Sequence, residues 1–275
     1  MKLATGANWM LNILLIVIAL LIFSPFYWIV ATSVLPSLDA FSLPPKWIPT
    51  EVDVNNFIQV FNTIPFGLQF FNSLKIATLV TVGALTVSSL AAYAFARLEF
   101  PGRDVLFVVF LSALMIPQQV TVIPTFILMR NLGLLDNHAS IILPGLINVL
   151  GIFLLRQFFR SIPRDLEDAA KIDGAGHLRI LVQVILPLST PALSALGIYI
   201  FQFYWNDFFW PNIFLSSPDQ MTLPVGLVAL QGLYASAPAV VLFAAMSMIL
   251  VPVLIVFVFT QRTLTESIAM TGLKG

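Results

Sequence analysis

Long stretches without an ionisable side chain alternate with short polar connections along this chain. A helix that crosses a hydrocarbon core needs about 20 mostly apolar residues at about 1.5 Å each. Six stretches meet that need: residues 11–31, 76–96, 105–129, 139–155, 186–207 and 239–261. The fourth is the shortest, confined between His138 and Arg156. The pattern predicts an all-α integral membrane protein, a single transmembrane domain over residues 1–275 built as a bundle of six helices.

The first stretch has one competing reading. Lys2 precedes it and Ala31-Thr32-Ser33 resembles a cleavage site, as in a secretory signal. A signal's apolar core runs for about 7–15 residues, however, so the longer run predicts an uncleaved membrane helix. Prolines at 25, 117, 124, 144, 187, 191 and 252 fall within or beside the six stretches. Each removes a backbone donor that neighbouring helices or cavity water must make good. They fit either ordinary kinks or a bundle that bends during a working cycle.

Composition reinforces the membrane assignment and narrows the chemistry. The 275 residues are 59% hydrophobic and 9% charged, where soluble domains carry about 25% charge. Thirteen basic side chains balance thirteen acidic ones, which leaves no global field for holding nucleic acid. There is no cysteine, and the two histidines, His138 and His177, are far apart in sequence, so no metal site is expected. With the N-terminus inside, the inner segments carry Lys2, Arg97, Arg103, Arg156, Arg160, Arg164, Lys171, Arg179, Arg262 and Lys274, against Lys46, Lys75 and Arg130 outside. That bias predicts cytoplasmic termini, with residues 33–73 and 208–238 facing outward.

The spans lack the charged groups that ion-coupled transporters place at mid-membrane. Asp207 lies at the outer end of the fifth, beside Trp205, Asn206 and Trp210, where interfacial anchoring is expected. Gln118 and Gln119 are the most polar pair that can sit deep, suited to interhelical hydrogen bonds or to lining a path. None of the five lysines follows a glycine, so a phosphate-cradling loop is absent and the chain should bind no nucleotide that way. If the chain moves a solute uphill, the energy must come from elsewhere, and an ATPase, if used, is a separate subunit.

Charge concentrates instead in the loop at about 161–187. Ser161 is a candidate N-cap, Pro163 suits a first turn, the acids Asp165, Glu167 and Asp168 favour the positive helix end, and Gly174 stops the helix. Arg164 with Asp168, and Glu167 with Lys171, are spaced to pair at i,i+4, as on any solvated helix. Ala169 and Ala170, however, place minimal side chains beside those charges, which lets another protein approach the backbone. The segment therefore reads as a docking helix.

Asp168-Ala169-Ala170, three residues, Gly174, nine residues, then Val184-Ile185-Leu186-Pro187 resembles the EAA loop of binding-protein-dependent ABC importer permeases. Further matches run in order along the chain. They are Asn72-Ser73-Leu74, Ala91-Ala92-Tyr93-Ala94-Phe95-Ala96-Arg97, Phe100-Pro101-Gly102-Arg103, Ile116-Pro117-Gln118-Gln119, Trp205-Asn206-Asp207, Thr222-Leu223-Pro224, and the tail from Gln261-Arg262 to Gly275. The set is similar to carbohydrate-importer permeases of the maltose-transporter type, in particular to the second permease subunit.

The resemblance implies a type I ABC importer permease bundle in a prokaryotic cytoplasmic (inner) membrane. It implies a second permease subunit, two ATPase subunits that bind ATP and Mg, and an extracytoplasmic sugar-binding protein as partners. This chain would then be a transport subunit and no enzyme, binding no cofactor itself. Glu167, Asp168, Ala169, Ala170, Asp173 and Gly174 would form the coupling helix that meets an ATPase, with either Glu167 or Asp168 facing the basic partner. The tail after Arg262 would reach between the ATPase subunits, although Thr263 to Met270 departs from the usual run. The rival readings are a stand-alone facilitator or channel and an intramembrane enzyme, for which the spans supply no acid–base pair. The substrate residues are not legible.

Overall fold

A computed structural model describes residues 5–39, 42–232 and 238–272, with side chains for the same stretches except 5–8, 38 and 256–272. Lys2 and Lys274 lie outside the described residues, and the tail after Gln261 lies outside the described side chains. Among the described residues every regular element is helical. Backbone contacts divide the chain into two compact units, residues 1–67 with 226–252, and residues 68–225 with 253–275.

The first unit contains helix α1, Thr5–Ser33, whose apolar side chains are exposed all around, from Trp9 and Met10 to Phe23 and Val30. Such a helix is stable only in an apolar solvent or against another chain. Its last carbonyls are not left open. The Asn56 side chain, fully buried, donates to Ser33 O at 3.0 Å and Leu35 O at 2.9 Å, which satisfies acceptors orphaned at a helix end. Asn56 belongs to α2, Asn55–Thr63, a short helix inside the Pro-rich stretch that the sequence presents as an outward segment. Trp47 closes this segment on α1, stacking edge-on to Trp28 at 5.0 Å and accepting from the Tyr27 hydroxyl at 2.8 Å.

The second unit is organised around α3, Phe66–Arg97, which crosses the boundary between the units. Small buried residues, Ala77, Ala84, Ala92 and Ala96, recur along it. They allow α7, Val149–Ser161, and α11, Thr190–Trp205, to come close. Gly151 on α7 shows how tight the seam is: a Cβ there would lie 3.0 Å from Ser88 Oγ and 3.1 Å from Leu196 Cδ2. Leu155, Phe159, Ile180, Ile185 and Ile200 complete the core.

Among the described residues, three helical stretches are long and apolar enough to cross a membrane, Trp9–Ser33, Phe66–Arg97 and Ala139–Ser161. The expected straight spans at 105–129 and 186–207 take another form. The first is α4, Arg103–Ser112, with a 3-10 turn to Met115, followed by α5, Gln118–Asn131, turned through 100°. Pro117 offers no N–H and holds Ile116 extended, so the helix cannot run through. In the second, the segment His177–Leu188 meets α11 at 82°. Its helical turns α9, His177–Ile180, and α10, Leu186–Leu188, flank a π-helical stretch, Leu181–Ile185, and the break falls at Ser189 between Pro187 and Pro191. The fourth expected span is likewise composite, α6, Ala139–Gly145, followed by α7. The side chain of Asn148 accepts from Gly151 N at 2.7 Å to restart the helix. The remaining helices are α8, Asp165–Ile172; α12, Phe209–Phe214; α13, Leu223–Gly232; and α14, Ala239–Gly272.

Candidate functional site: a helix anchored at one end of the bundle

Helix α8 starts later than its sequence suggests. Ser161 is the last residue of α7 and donates its hydroxyl to Phe158 O at 2.7 Å, while Arg164 occupies the N-cap position. Ile162, extended before Pro163, is buried and breaks the helix between them. The acids Asp165, Glu167 and Asp168 do fall in the first turn, where the helix dipole favours negative charge.

The other end is closed by a Schellman turn. Gly174 N donates to Lys171 O and Ala175 N to Ala170 O, both at 2.9 Å, with Gly174 at φ +77°. Nothing lies within 4 Å of the position a Gly174 Cβ would take. Backbone conformation, not crowding, therefore requires glycine there.

The two adjacent carboxylates divide their work. Glu167 is buried, its Oε1 2.6 Å from Arg97 Nε at the end of α3. Arg97 also donates through Nη2 to Phe159 O and Ile162 O, each at 2.6 Å. One guanidinium thus joins α3, the end of α7 and α8. Asp168 is exposed and pairs with Lys171 at 2.9 Å, one residue closer than the i,i+4 pairing the spacing offered. That hydrogen bond from Lys171 lowers the Asp168 carboxyl below its usual range. The expected pairs Arg164–Asp168 and Glu167–Lys171 give way to Lys171–Asp168 and Arg97–Glu167.

Around these charges, Ala170 is half-buried against the core, whereas Ala169 and Asp173 are exposed and Ile172 is 86% exposed. The outward face of α8 is thus an aliphatic strip flanked by acids. Arg156 braces the same end of the bundle. It is buried, lies 3.9 Å above the Phe107 ring, donates to Phe95 O at 3.1 Å and reaches Asp104 at 3.5 Å. Sequence reasoning missed Arg97 and Arg156 as partners. Both were visible as basic residues at span ends, but nothing local named what they meet.

At the opposite end of α3, the stretch 215–223 is fastened to the bundle. Asn72 Nδ2 donates to Asp219 O at 2.8 Å and Met221 O at 3.0 Å, Leu223 N donates to Ser73 Oγ at 2.8 Å, and His138 Nε2 meets Gln220 O at 2.8 Å. Asp136 receives Ser216 N at 2.9 Å, Ser217 N at 3.0 Å and the Ser217 hydroxyl. These donors pull its pKa down to about 2. A carboxylate so depressed contributes stability that is full above its unfolded pKa and lost as pH falls towards 2. Amide exchange at Ser216 and Ser217 should therefore stay slow at pH 5 and rise in Asp136→Asn at that pH. Equal exchange in the two proteins would contradict this account. Asp207, expected as an interfacial anchor, accepts from Phe209 N at 3.0 Å and Trp210 N at 3.4 Å and so starts α12.

A helical bundle with several membrane-length stretches and a charged surface helix pinned to one end fits a membrane transport subunit. Residues 84–268 match the family described as binding-protein-dependent transport system inner membrane component, and the chain belongs to that family. It is 33% identical over 271 residues to the arabinooligosaccharides transport system permease protein AraQ of Halalkalibacterium halodurans, covering 98% of this chain and 97% of that one. It is 34% identical over 267 residues to the sn-glycerol-3-phosphate transport system permease protein UgpE of Yersinia enterocolitica, covering 94% of each. Among solved structures, a bacterial ABC transporter involved in the import of the acidic polysaccharide alginate superposes with a TM-score of 0.83 at 26% identity, covering 95% of this chain and 99% of that one.

Proposed function

We propose that this chain is one of two permease subunits of an ATP-driven importer for a carbohydrate or related polyol, and that α8 is the helix through which a partner ATPase drives it. Counting each bent pair as one passage and taking α14 as the last gives six, and with that count the basic-residue bias supports cytoplasmic termini and a cytoplasmic α8. The carrying observation is the two-sided character of α8. Its inner face is tied to α3 and α7 by Glu167 and Arg97, and its outer face offers Asp168, Ala169 and Ile172. Movement imposed on that outer face passes directly to the bundle. Asp168 is the exposed carboxylate that can exchange its surface contact with Lys171 for a basic ATPase side chain, since Glu167 is buried against Arg97. ATP and Mg belong to the ATPase partner, and an extracytoplasmic sugar-binding protein delivers the substrate. Alternation between inward- and outward-facing states then carries it across.

The test is co-expression of a tagged chain with its neighbouring genes, purification from membranes, and ATPase assay with sugar-loaded binding protein. A second permease and an ATPase should co-purify, with hydrolysis rising for one sugar. Ile172→Asp should release the ATPase while the permease pair stays together. Purification of this chain alone, active as a pore in vesicles, would instead establish a facilitator.

A further inference from the structure

The bend at Pro117 borders a cavity of about 380 Å³ within the second unit, inside the range of about 300–1,000 Å³ typical of small-molecule sites. Irregular backbone at membrane depth is tolerated where it is covered by protein or lines a water-filled space. Here Gln118, the first residue of α5, stands on the cavity wall with Thr125 two turns further on. Tyr204 of α11 and Trp210 of α12 form the facing wall.

Three features give the cavity a chemical preference. First, among the described residues the Gln118 amide, the Thr125 hydroxyl and the Tyr204 hydroxyl have no hydrogen-bond partner in the protein. Each of these groups both donates and accepts, as does every hydroxyl of a sugar. Second, the Trp210 ring is held in place by stacking on Phe214, 5.4 Å away and 11° from parallel, and supplies a flat apolar surface of the kind that covers a sugar's C–H face. Third, the lining contains no charged side chain. A phosphate, sulfonate or carboxylate entering it would lose water without gaining a cation.

The Tyr204 hydroxyl is specifically accommodated. A Cβ on Gly145 of α6 would fall 2.7 Å from it and 2.8 Å from Val80 Cγ1. The absence of a side chain at that point is what lets the phenol reach the cavity wall.

We infer that this chain itself holds a substrate subsite, formed by Gln118, Thr125, Tyr204 and Trp210, that selects neutral carbohydrate over anionic sugar derivatives. The inference rests on the importer function proposed above and adds to it the class of substrate and the residues that hold it. AraQ is named for arabinooligosaccharides, UgpE for sn-glycerol 3-phosphate, and the alginate transporter for an acidic polysaccharide. On this cavity's chemistry, the present chain sides with the uncharged case.

The experiment uses the complete importer in detergent, without its binding protein, and reads direct ligand binding by saturation-transfer NMR. The probes are a panel of neutral trisaccharides built from pentoses and hexoses, sn-glycerol 3-phosphate, and an alginate trisaccharide. At least one neutral probe should bind and neither anion should. Tyr204→Phe should weaken that binding about tenfold, the effect of one buried hydrogen bond, and Trp210→Ala should abolish it. Gln118→Ala, at an exposed side chain, secures the test should the aromatic variants assemble poorly, and it too should weaken binding about tenfold. Binding unchanged in all three variants, no neutral probe bound, or anions bound as well as neutral probes would each overturn the subsite. A wild-type preparation with no associated ATPase overturns the importer function instead. A complete importer whose sugar binding ignores these substitutions overturns the subsite alone.

Discussion

Gly174→Val should cut substrate uptake per ATP hydrolysed about tenfold or more, while the chain still inserts and assembles. The turn after α8 needs φ +77° at this residue. A β-branched side chain in the left-handed region is strained by about 1–3 kcal/mol, enough to unwind the turn. Because the space around Gly174 is open, the damage comes from the backbone alone. Gly174→Asn is therefore the decisive comparison, since asparagine tolerates that conformation far better than valine. Reconstituted importers carrying each variant are assayed for uptake and hydrolysis together. If valine transports normally, or if asparagine is as harmful, the turn does not set the coupling.

The second large effect falls on Glu167. Glu167→Ala leaves the Arg97 guanidinium buried with carbonyl partners only, and loss of one member of a buried pair costs about 3–5 kcal/mol. The variant should melt at a markedly lower temperature, and limited proteolysis should cut within 162–176 where the parent is protected. Replacing Arg97 and Glu167 together by methionine removes both charges and should be milder than either single change. A double variant as unstable as the sum of the singles would show that the pair acts independently rather than as a unit.

What could be read in advance tracks the range of the forces involved. Apolar runs are additive along the chain, so the long helices at Phe66–Arg97 and Ala139–Ser161 stood out from composition alone. The bends did not. Pro117 and Pro191 were evident, yet proline inside an apolar run accommodates a kink as well as a break, and only neighbouring packing decides. Helix α2 was hidden for a related reason, because a nine-residue amphipathic turn between prolines is too short to announce itself. At the candidate site, Asp168, Ala169 and Gly174 were placed by a spacing that survives in the structure as an exposed face and a closing turn. The role of Glu167 was obscured by Lys171 four residues away. Its actual partner lies seventy positions earlier, and no local pattern encodes that distance.

The contacts of Arg97 carry a mechanical consequence. Two backbone carbonyls at the end of α7 and the Glu167 carboxylate of α8 share the one guanidinium that ends α3. Separating the ends of α3 and α7 and the start of α8 therefore costs at least one of these bonds. If a partner drives α8 as proposed, little of that movement is lost at this joint, and the bends at Pro117 and Ser189 are where the chain can yield.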